Sequence, residues 1–433
     1  LVAFAHTEFG GGSRADYRVK SPTMGGQVIV KPSDPAQAGW WSFTKLASGS
    51  LGHDITVTAA SGSTIDADSS VSFDTLTFSG GNQELNFAGG GGIEFTGATS
   101  TPGDTTFNAE ESTSTTFSGA ISETAAAALT FEGSEGSQFN LPQANSYTGV
   151  TTIRESITVT INDDDSLGGD GGGVAGTTIT DNASLRITGE DMNNEQFTLS
   201  SQGNALGAGI QHLGGGDTLI RQQIVMTGDS RIGSSSGNRL RIIGGIDNGG
   251  NEVELTANNR IDIEANGITG AGDVRIRGGN EIYFHTNAPN SYSGDTIVEN
   301  NTRLRVRRPD SLGDSTGITI VRDRGTVLFE SGNDTHIENF QIEGQGRNNG
   351  EGALWNLNAT NTIQGTVTLT GDARIRSESG NLRVTGNVGG AGNLTKTQNG
   401  DVTFENATNT LAGNTAIHGG RLIVTGAGGL GNQ

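Results

Sequence analysis

NSYSGDTIVENNTRLRVRRPDSLG, residues 290–313, is a second copy of NSYTGVTTIRESITVTINDDDSLG, residues 145–168; the two align without a gap at an offset of 145. A third copy, NTLAGNTAIHGGRLIVTGAGGLG at 409–431, is one residue shorter and carries Leu411 where the others carry Tyr147 and Tyr292. In each copy a polar turn closes on glycine (Gly149, Gly294, Gly413). A Thr-rich run follows with apolar residues on alternate positions, and a Leu-Gly turn at Leu167, Leu312 or Leu430 ends it. Alternation at period two is a strand signal, and self-similarity at a long period marks a repeat architecture. Two further pairings fall in the same order: 226–238 with 369–381 at an offset of 143, and 268–284 with 388–404 at 120.

Composition narrows the fold. The 433 residues include 70 glycines and 7 prolines, with 32% hydrophobic and 5% aromatic residues, too few large apolar groups for several wide cores. The apolar residues are nonetheless patterned and β-branched, unlike those of a disordered chain. A thin core repeated along an axis satisfies both facts. Short strands without intervening helices cannot build doubly wound α/β units. Hairpin signals are scarce, Asn399-Gly400 and Asn266-Gly267 being exceptions. The one helical candidate, TAAAAL at 124–129, has strand-like neighbours and reads as a turn or strand. The expected fold is all-β: a parallel, right-handed β-helix (β-solenoid) of Gly/Asn/Thr-rich coils, with stacked antiparallel sheets or a propeller as the alternative. At roughly 20 residues per coil, residues 51–433 give about 19 coils. Stacked asparagines are expected at the corners, and Phe73, Phe78, Phe87 and Phe95 as an internal aromatic stack.

The formal net charge of −21 argues against a nucleic-acid partner. Residues 1–50 differ, with five basic groups against three acidic ones, and are expected to form a separate cap or subunit-docking segment. Residues 51–433 form the solenoid, with repeat motifs near 119–169, 268–313 and 389–433. The run LVAFAHTEF at 1–9, followed by a GGGS joint, is a candidate docking strand through Leu1, Val2, Phe4 and Phe9. The other end, GAGGLGNQ, directly follows a repeat motif and reads as an edge covered by a neighbour or as the end of a fragment. Cysteine is absent, which excludes disulfides and thiolate metal sites. No apolar run is long enough for a transmembrane helix.

Candidate sites are few. Asp163, Asp164 and Asp165, with Asp170, offer the oxygen ligands a calcium ion needs, although a solvated turn explains them as well. No other cofactor is expected. The six histidines (6, 53, 212, 285, 336, 418) show no ligand spacing. Arg303, Arg305 and Arg307 alternate with Leu304 and Val306 and therefore project from one strand face, as do Arg275/Arg277 and Arg374/Arg376. Pairing with acids on neighbouring coils is the expected arrangement; contact with an acidic partner is the alternative.

Residues 389–432, GGAGNLTKTQNGDVTFENATNTLAGNTAIHGGRLIVTGAGGLGN, resemble the autotransporter-associated β-strand repeat family along almost their whole length. The copies near 119–169 and 268–313 match less closely, and residues 1–50 fall outside the resemblance. It implies an extracellular or cell-surface β-helical protein of a bacterium, with motif positions that are structural and not catalytic. The expected function is a noncatalytic subunit of a surface filament, fibre or matrix assembling head to tail, with itself or another surface protein as partner. The alternatives are a monomeric adhesin stalk that binds a surface or glycan, and a polysaccharide-active β-helix enzyme.

Overall fold

The computed structural model describes the backbone of strands Ala3–Thr7, Ala15–Val19 and Trp40–Phe43. From residue 56 onward it describes all residues except 60, 68–69, 79, 169–175, 236, 285–289, 331, 426–429 and 431–433. Short parallel strands stack in coils to make a β-solenoid of about 16 turns. The chain folds into two compact units, Leu1–Gln211 and His212–Gln433. Among the described residues the only helix is a 3-10 turn, Arg347–Asn349. The 124–129 run is irregular until Leu129 opens a strand, as its neighbours suggested.

In the first unit the coils contribute strands to two long parallel stacks, and the early coils to a third of four strands ending at Ile121–Glu123. One runs Gln83–Ala88, Thr105–Ala109, Leu129–Gly133, Thr151–Ile153, Gly176–Thr180. Its register sets Gln83 against Thr105, Thr105 against Leu129, Leu129 against Thr151 and Thr151 against Thr177. Parallel stacking places like positions over one another, so the pattern of one coil must be compatible with the next. The aromatic stack follows from this. Phe73, Phe95 and Phe117 lie in one column, with ring centroids 5.6 and 5.4 Å apart, and Phe87, Phe107 and Phe131 in another at 6.2 and 5.5 Å. Offset stacking of this kind adds about 0.5–1.5 kcal/mol per pair beyond burial. Phe78 is half-buried beside Phe107, so the expected stack holds for Phe73, Phe87 and Phe95 and is looser at Phe78.

The second unit reproduces the internal repeat at the level of strands. Thr151–Ile153 and Thr158–Ile161 of the first unit correspond to Thr296–Val298 and Arg303–Val306 here, at the same offset of 145. Within the second unit, Val274–Arg277 and Glu281–Phe284 recur as Leu394–Thr397 and Asp401–Phe404, at 120.

Coils are longer than the assumed ~20 residues. Paired positions such as Thr105/Leu129 and Phe340/Val367 are 24 and 27 residues apart, which is why there are about 16 turns and not 19. The extra length lies in the corners. At one corner two successive residues take left-handed conformations: Glu111/Ser112, Glu155/Ser156 and Asp181/Asn182 in the first unit, Asn300/Asn301 and Asp323/Arg324 in the second. Backbone closure from Thr113 N to Glu110 O, Ala183 N to Thr180 O and Gly325 N to Arg322 O completes two-residue turns with both central φ positive. Such turns ordinarily announce themselves as Asn-Gly; here Glu-Ser and Asp-Arg do the work, so the sequence conceals them. Asparagine does line the corners, but only partly as an amide ladder. Asn108 donates to Asn86 Oδ1 at 2.9 Å, whereas Asn145, Asn248 and Asn290 grip backbone groups of the next coil.

At the N-terminal side, Ala3–Thr7 pairs antiparallel with Ala15–Val19 on one edge and with Trp40–Phe43 on the other. Trp40–Phe43 then pairs in parallel with Ser63–Asp66. The parallel stacking thus begins inside residues 1–50, and an antiparallel pair occupies the edge of its first rung.

Arg324 is exposed and sits at φ 63°, a conformation that non-glycine residues adopt at a cost. Arg324→Gly should stabilise the second unit by about 0.5–1 kcal/mol, read as an upward shift of its denaturant midpoint.

Candidate functional site

The residues singled out by the repeat converge on one construction, present once in each unit. In the first, Asn145 Oδ1 accepts from Ile121 N at 2.7 Å while its amide donates to Ser166 O. Two residues on, the buried Tyr147 hydroxyl bonds Thr151 Oγ1 at 2.8 Å, and that hydroxyl donates to Leu167 O at 3.0 Å. In the second unit Asn290 bridges Ile268 N and Ser311 O, Tyr292 bonds Thr296 at 2.6 Å, and Thr296 reaches Leu312 O at 3.2 Å. Leu167 and Leu312 are buried, and Gly168 and Gly313, with φ near 107° and 95°, lie flat against the tyrosine rings. At Gly149, Gly294 and Gly413 a Cβ would fall on backbone of the preceding coil. In the third copy Asn409 still accepts from Val388 N at 2.9 Å, but the buried Leu411 replaces tyrosine, and Leu430 is only half-buried. Burial raises both tyrosine hydroxyls far above their ordinary pKa, so they stay protonated as donors inside the coil. Every polar atom of this clasp goes to holding chain to chain.

Lys396, which falls in the Thr-Lys step of the third motif, is fully buried. Its ammonium donates to Gln398 O and Gly419 O, both at 2.6 Å, and to Gly400 O. Three carbonyls replace its hydration shell, and burial lowers its pKa. This lysine is a strut across two coils.

The arginine face lies in the second unit. Successive rungs place Arg241, Asp262, Tyr283, Arg305, Leu328, Trp355 and Arg376 in one outward column. Arg275, Arg277, Arg303 and Arg305 pair with acids of other coils as expected, whereas Arg376 pairs with Glu378 two residues on and Arg374 donates to Asn349 O at 3.2 Å. Arg275 reaches Glu252 at 2.8 Å and Glu299 at 3.1 Å, Arg303 reaches Glu281 at 2.6 Å, and Arg305 pairs with Glu330. Burial pushes Glu299 up, but Arg322 and Arg275 outweigh it and hold its carboxyl below the usual range. Guanidinium groups also cover the aromatics: Arg260 and Arg305 lie 4.9 and 4.8 Å from the Tyr283 ring, Arg376 and Arg303 4.3 and 5.5 Å from Trp355. The loop carrying Arg347–Asn349 folds over this face. Arg347 donates to Gly279 O at 3.3 Å, Asn348 N to Asn301 Oδ1 at 2.8 Å, and Glu351 pairs with Arg303 at 3.2 Å.

The remaining candidates are not brought together. Asp163, Asp164 and Asp165 do cluster in one exposed turn, where Asp163 Oδ1 accepts from Asp165 N at 3.1 Å; Asp170 lies outside the described residues. His212 is buried against Thr218 at 2.9 Å, His336 is buried with its ring 4.8 Å from Phe329, and His418 is exposed. His53 and His285 lie outside the described residues, as do Leu1, Val2 and Phe9 of the candidate docking strand. Phe4 falls in Ala3–Thr7, whose two edges are both paired within the chain. A polar groove of about 610 Å³ runs past Thr360, Glu378, Asn381, Asp401 and Arg421. Its two acids are engaged, Asp401 with Arg421 at 2.6 Å and Glu378 with Arg376. Two carboxylates escaped the sequence reading altogether: Glu195 and Glu338, buried in Glu-Gln-Phe-Thr-Leu and Glu-Asn-Phe-Gln-Ile at an offset of 143. The matching pentapeptides were the signal that could have revealed them.

Asn290→Ala leaves Ile268 N–H and Ser311 C=O buried without their partner and should cost about 2–4 kcal/mol. Arg275→Met, on the half-exposed ladder, should cost at most about 1 kcal/mol. Denaturant midpoints of the two variants measure the difference. Comparison with family models, curated proteins and solved structures finds no match for the chain.

Proposed function

We propose that this chain is a noncatalytic structural subunit of a bacterial surface or extracellular assembly, a β-solenoid whose copies join head to tail into a filament, fibre or matrix. The observation that carries the reading is where the repeat residues are spent. Asn145, Tyr147, Thr151 and Leu167, and their counterparts Asn290, Tyr292, Thr296 and Leu312, direct their polar groups to neighbouring coils and not to a cleft. A chain selected for such positions is selected for holding a regular backbone. The resemblance of residues 389–432 to autotransporter-associated repeats supports the surface setting, and Lys396 within that motif is again a coil-to-coil tie.

The joining element is assigned to the N-terminal antiparallel pair. Among the described residues Ala15–Val19 has a strand partner on one side only, and an open edge is a template for another chain. Ala3–Thr7 then supports that edge from within. The mildly basic segment 1–50 also complements the acidic remainder of the chain.

Electron microscopy across a concentration series should show filaments with a regular axial repeat. Deleting residues 1–13 should abolish them while circular dichroism still reports β structure. Isolated particles at every concentration would instead support the monomeric adhesin, and glycan binding would be the next measurement.

A further inference from the structure

Both units enclose a carboxylate with no counter-charge. Glu338 is 1% exposed, and neither of its carboxylate oxygens has a hydrogen-bond partner. Glu195, 7% exposed, has one such oxygen. The two occupy the same place in the repeat. Each stands two residues before a buried phenylalanine, Phe197 or Phe340, that pairs with a buried threonine one coil earlier, Thr177 or Thr319. Thr177 lies within hydrogen-bonding reach of Glu195, whereas the Thr319 hydroxyl has no hydrogen-bond partner. Those threonines pair in turn with Thr151 and Thr296, the residues bonded to Tyr147 and Tyr292. The tyrosine clasp of each unit therefore has a buried acid two coils beyond its threonine.

Burial without a partner makes an ionised carboxylate far more costly than a neutral one. The groups facing these acids do not offset that cost. Glu195 has Thr177 as a hydrogen-bonding neighbour and lies within electrostatic reach of Tyr147; Glu338 lies within electrostatic reach of Tyr292 and of the carboxylates of Asp310 and Asp314. Among the described residues no lysine, arginine or histidine pairs with either acid. Among the described residues no trio of metal-ligating side chains includes either acid; the cluster found there is Asp163, Asp164 and Asp165.

We propose that Glu195 and Glu338 are proton-binding sites built into the repeat, so that the coils around them hold tighter in acid than in alkali. Each takes one proton from water on folding and returns it on unfolding. Burial pushes both to about 7, against an ordinary value of 4.5. Between those values the folded chain holds more protons than the unfolded one, so stability is greatest below the ordinary value and falls as pH rises toward 7. His336, pushed down to about 4 by burial, works in the opposite sense, since its neutral form is favoured in the fold. The arginine-paired acids matter only in stronger acid. Comparison with glutamine variants isolates the two glutamates from both effects.

The test is thermal unfolding of the full chain from about pH 5 to about pH 8.5, with and without a chelator, for the native protein, Glu195→Gln, Glu338→Gln and the double variant. The native chain should lose stability across this range relative to the double variant, by on the order of a hundredfold in the folded-to-unfolded ratio per site. Each single variant should remove about half of that slope. Should Glu338→Gln fail to fold, Glu195→Gln carries the same comparison for the first unit. Native amide exchange in Asn339–Gly344, corrected for intrinsic rates, should also quicken with pH. Parallel stability curves for native and variants would overturn the proposal. So would a chelator-induced loss of stability in alkali, which would mean a metal ion rather than a proton neutralises the acids.

Discussion

Parallel pairing of each strand with its counterpart one coil away is the constraint on which the rest of this structure depends. It satisfies the backbone along the stacking direction and leaves the side chains no choice of neighbour. Whatever faces inward in one coil lies over whatever faces inward in the next. That is why phenylalanine columns form in the first unit, with Phe73, Phe95 and Phe117 stacked. It is also why a charge on the outer face, such as Arg275, finds its acids on the coils to either side. With few large apolar groups per coil, many small rungs must each be nearly complete.

A thin core has a second consequence: polar groups inevitably enter it at the corners. The chain deals with them in three ways. Asparagines 145 and 290 each bridge an N–H and a carbonyl, so one side chain satisfies groups from two strands. Lys396 gathers three carbonyls around an ammonium. Glu195 and Glu338 follow neither course and are left to be neutralised by protons, which makes them the points where the interior responds to solution conditions. The outer face is handled differently, through a lattice of arginines and acids tied down by the loop around Arg347. Individual exposed pairs of this kind are weak, and their effect comes from sharing, as when Arg303 serves both Glu281 and Glu351.

These features bear on function through what they occupy. Tyr147 and Tyr292 would be natural candidates for chemistry in another setting, yet both are sealed beneath Leu-Gly turns and hydrogen-bonded to threonine. The arginine face would suit an anionic partner, but its guanidinium groups already cover Tyr283 and Trp355 and pair with acids. A scaffold that engages its own reactive groups so fully is suited to building and bearing, and the proposal of a surface assembly rests on that.

Much of the fold was legible from residues alone, because periodicity is a local property. Alternation over 158–161 and 303–306 marks strands, and the gap-free repeat at 145 reappears as strands at the same offset. The internal stack of Phe73, Phe87 and Phe95, and the pairing of Arg275 and Arg303 with acids of other coils, could also be anticipated. Coil length could not be, because the offset between paired strands varies from 20 to 27 residues, nor could the left-handed corners at Glu111-Ser112 and Asp323-Arg324, which lack the usual glycine. Nor could the pairing of Ala3–Thr7 on both edges, or the isolation of Glu195 and Glu338. Whether a strand edge is open, or a carboxylate has a partner, depends on residues that arrive from other coils, some 20 or more positions away. The sequence by itself determined the repeat, the strand period and the residues that face inward; only the tertiary structure decided which of those inward polar groups found a partner, since partnership is set by stacking between coils and not by order along the chain.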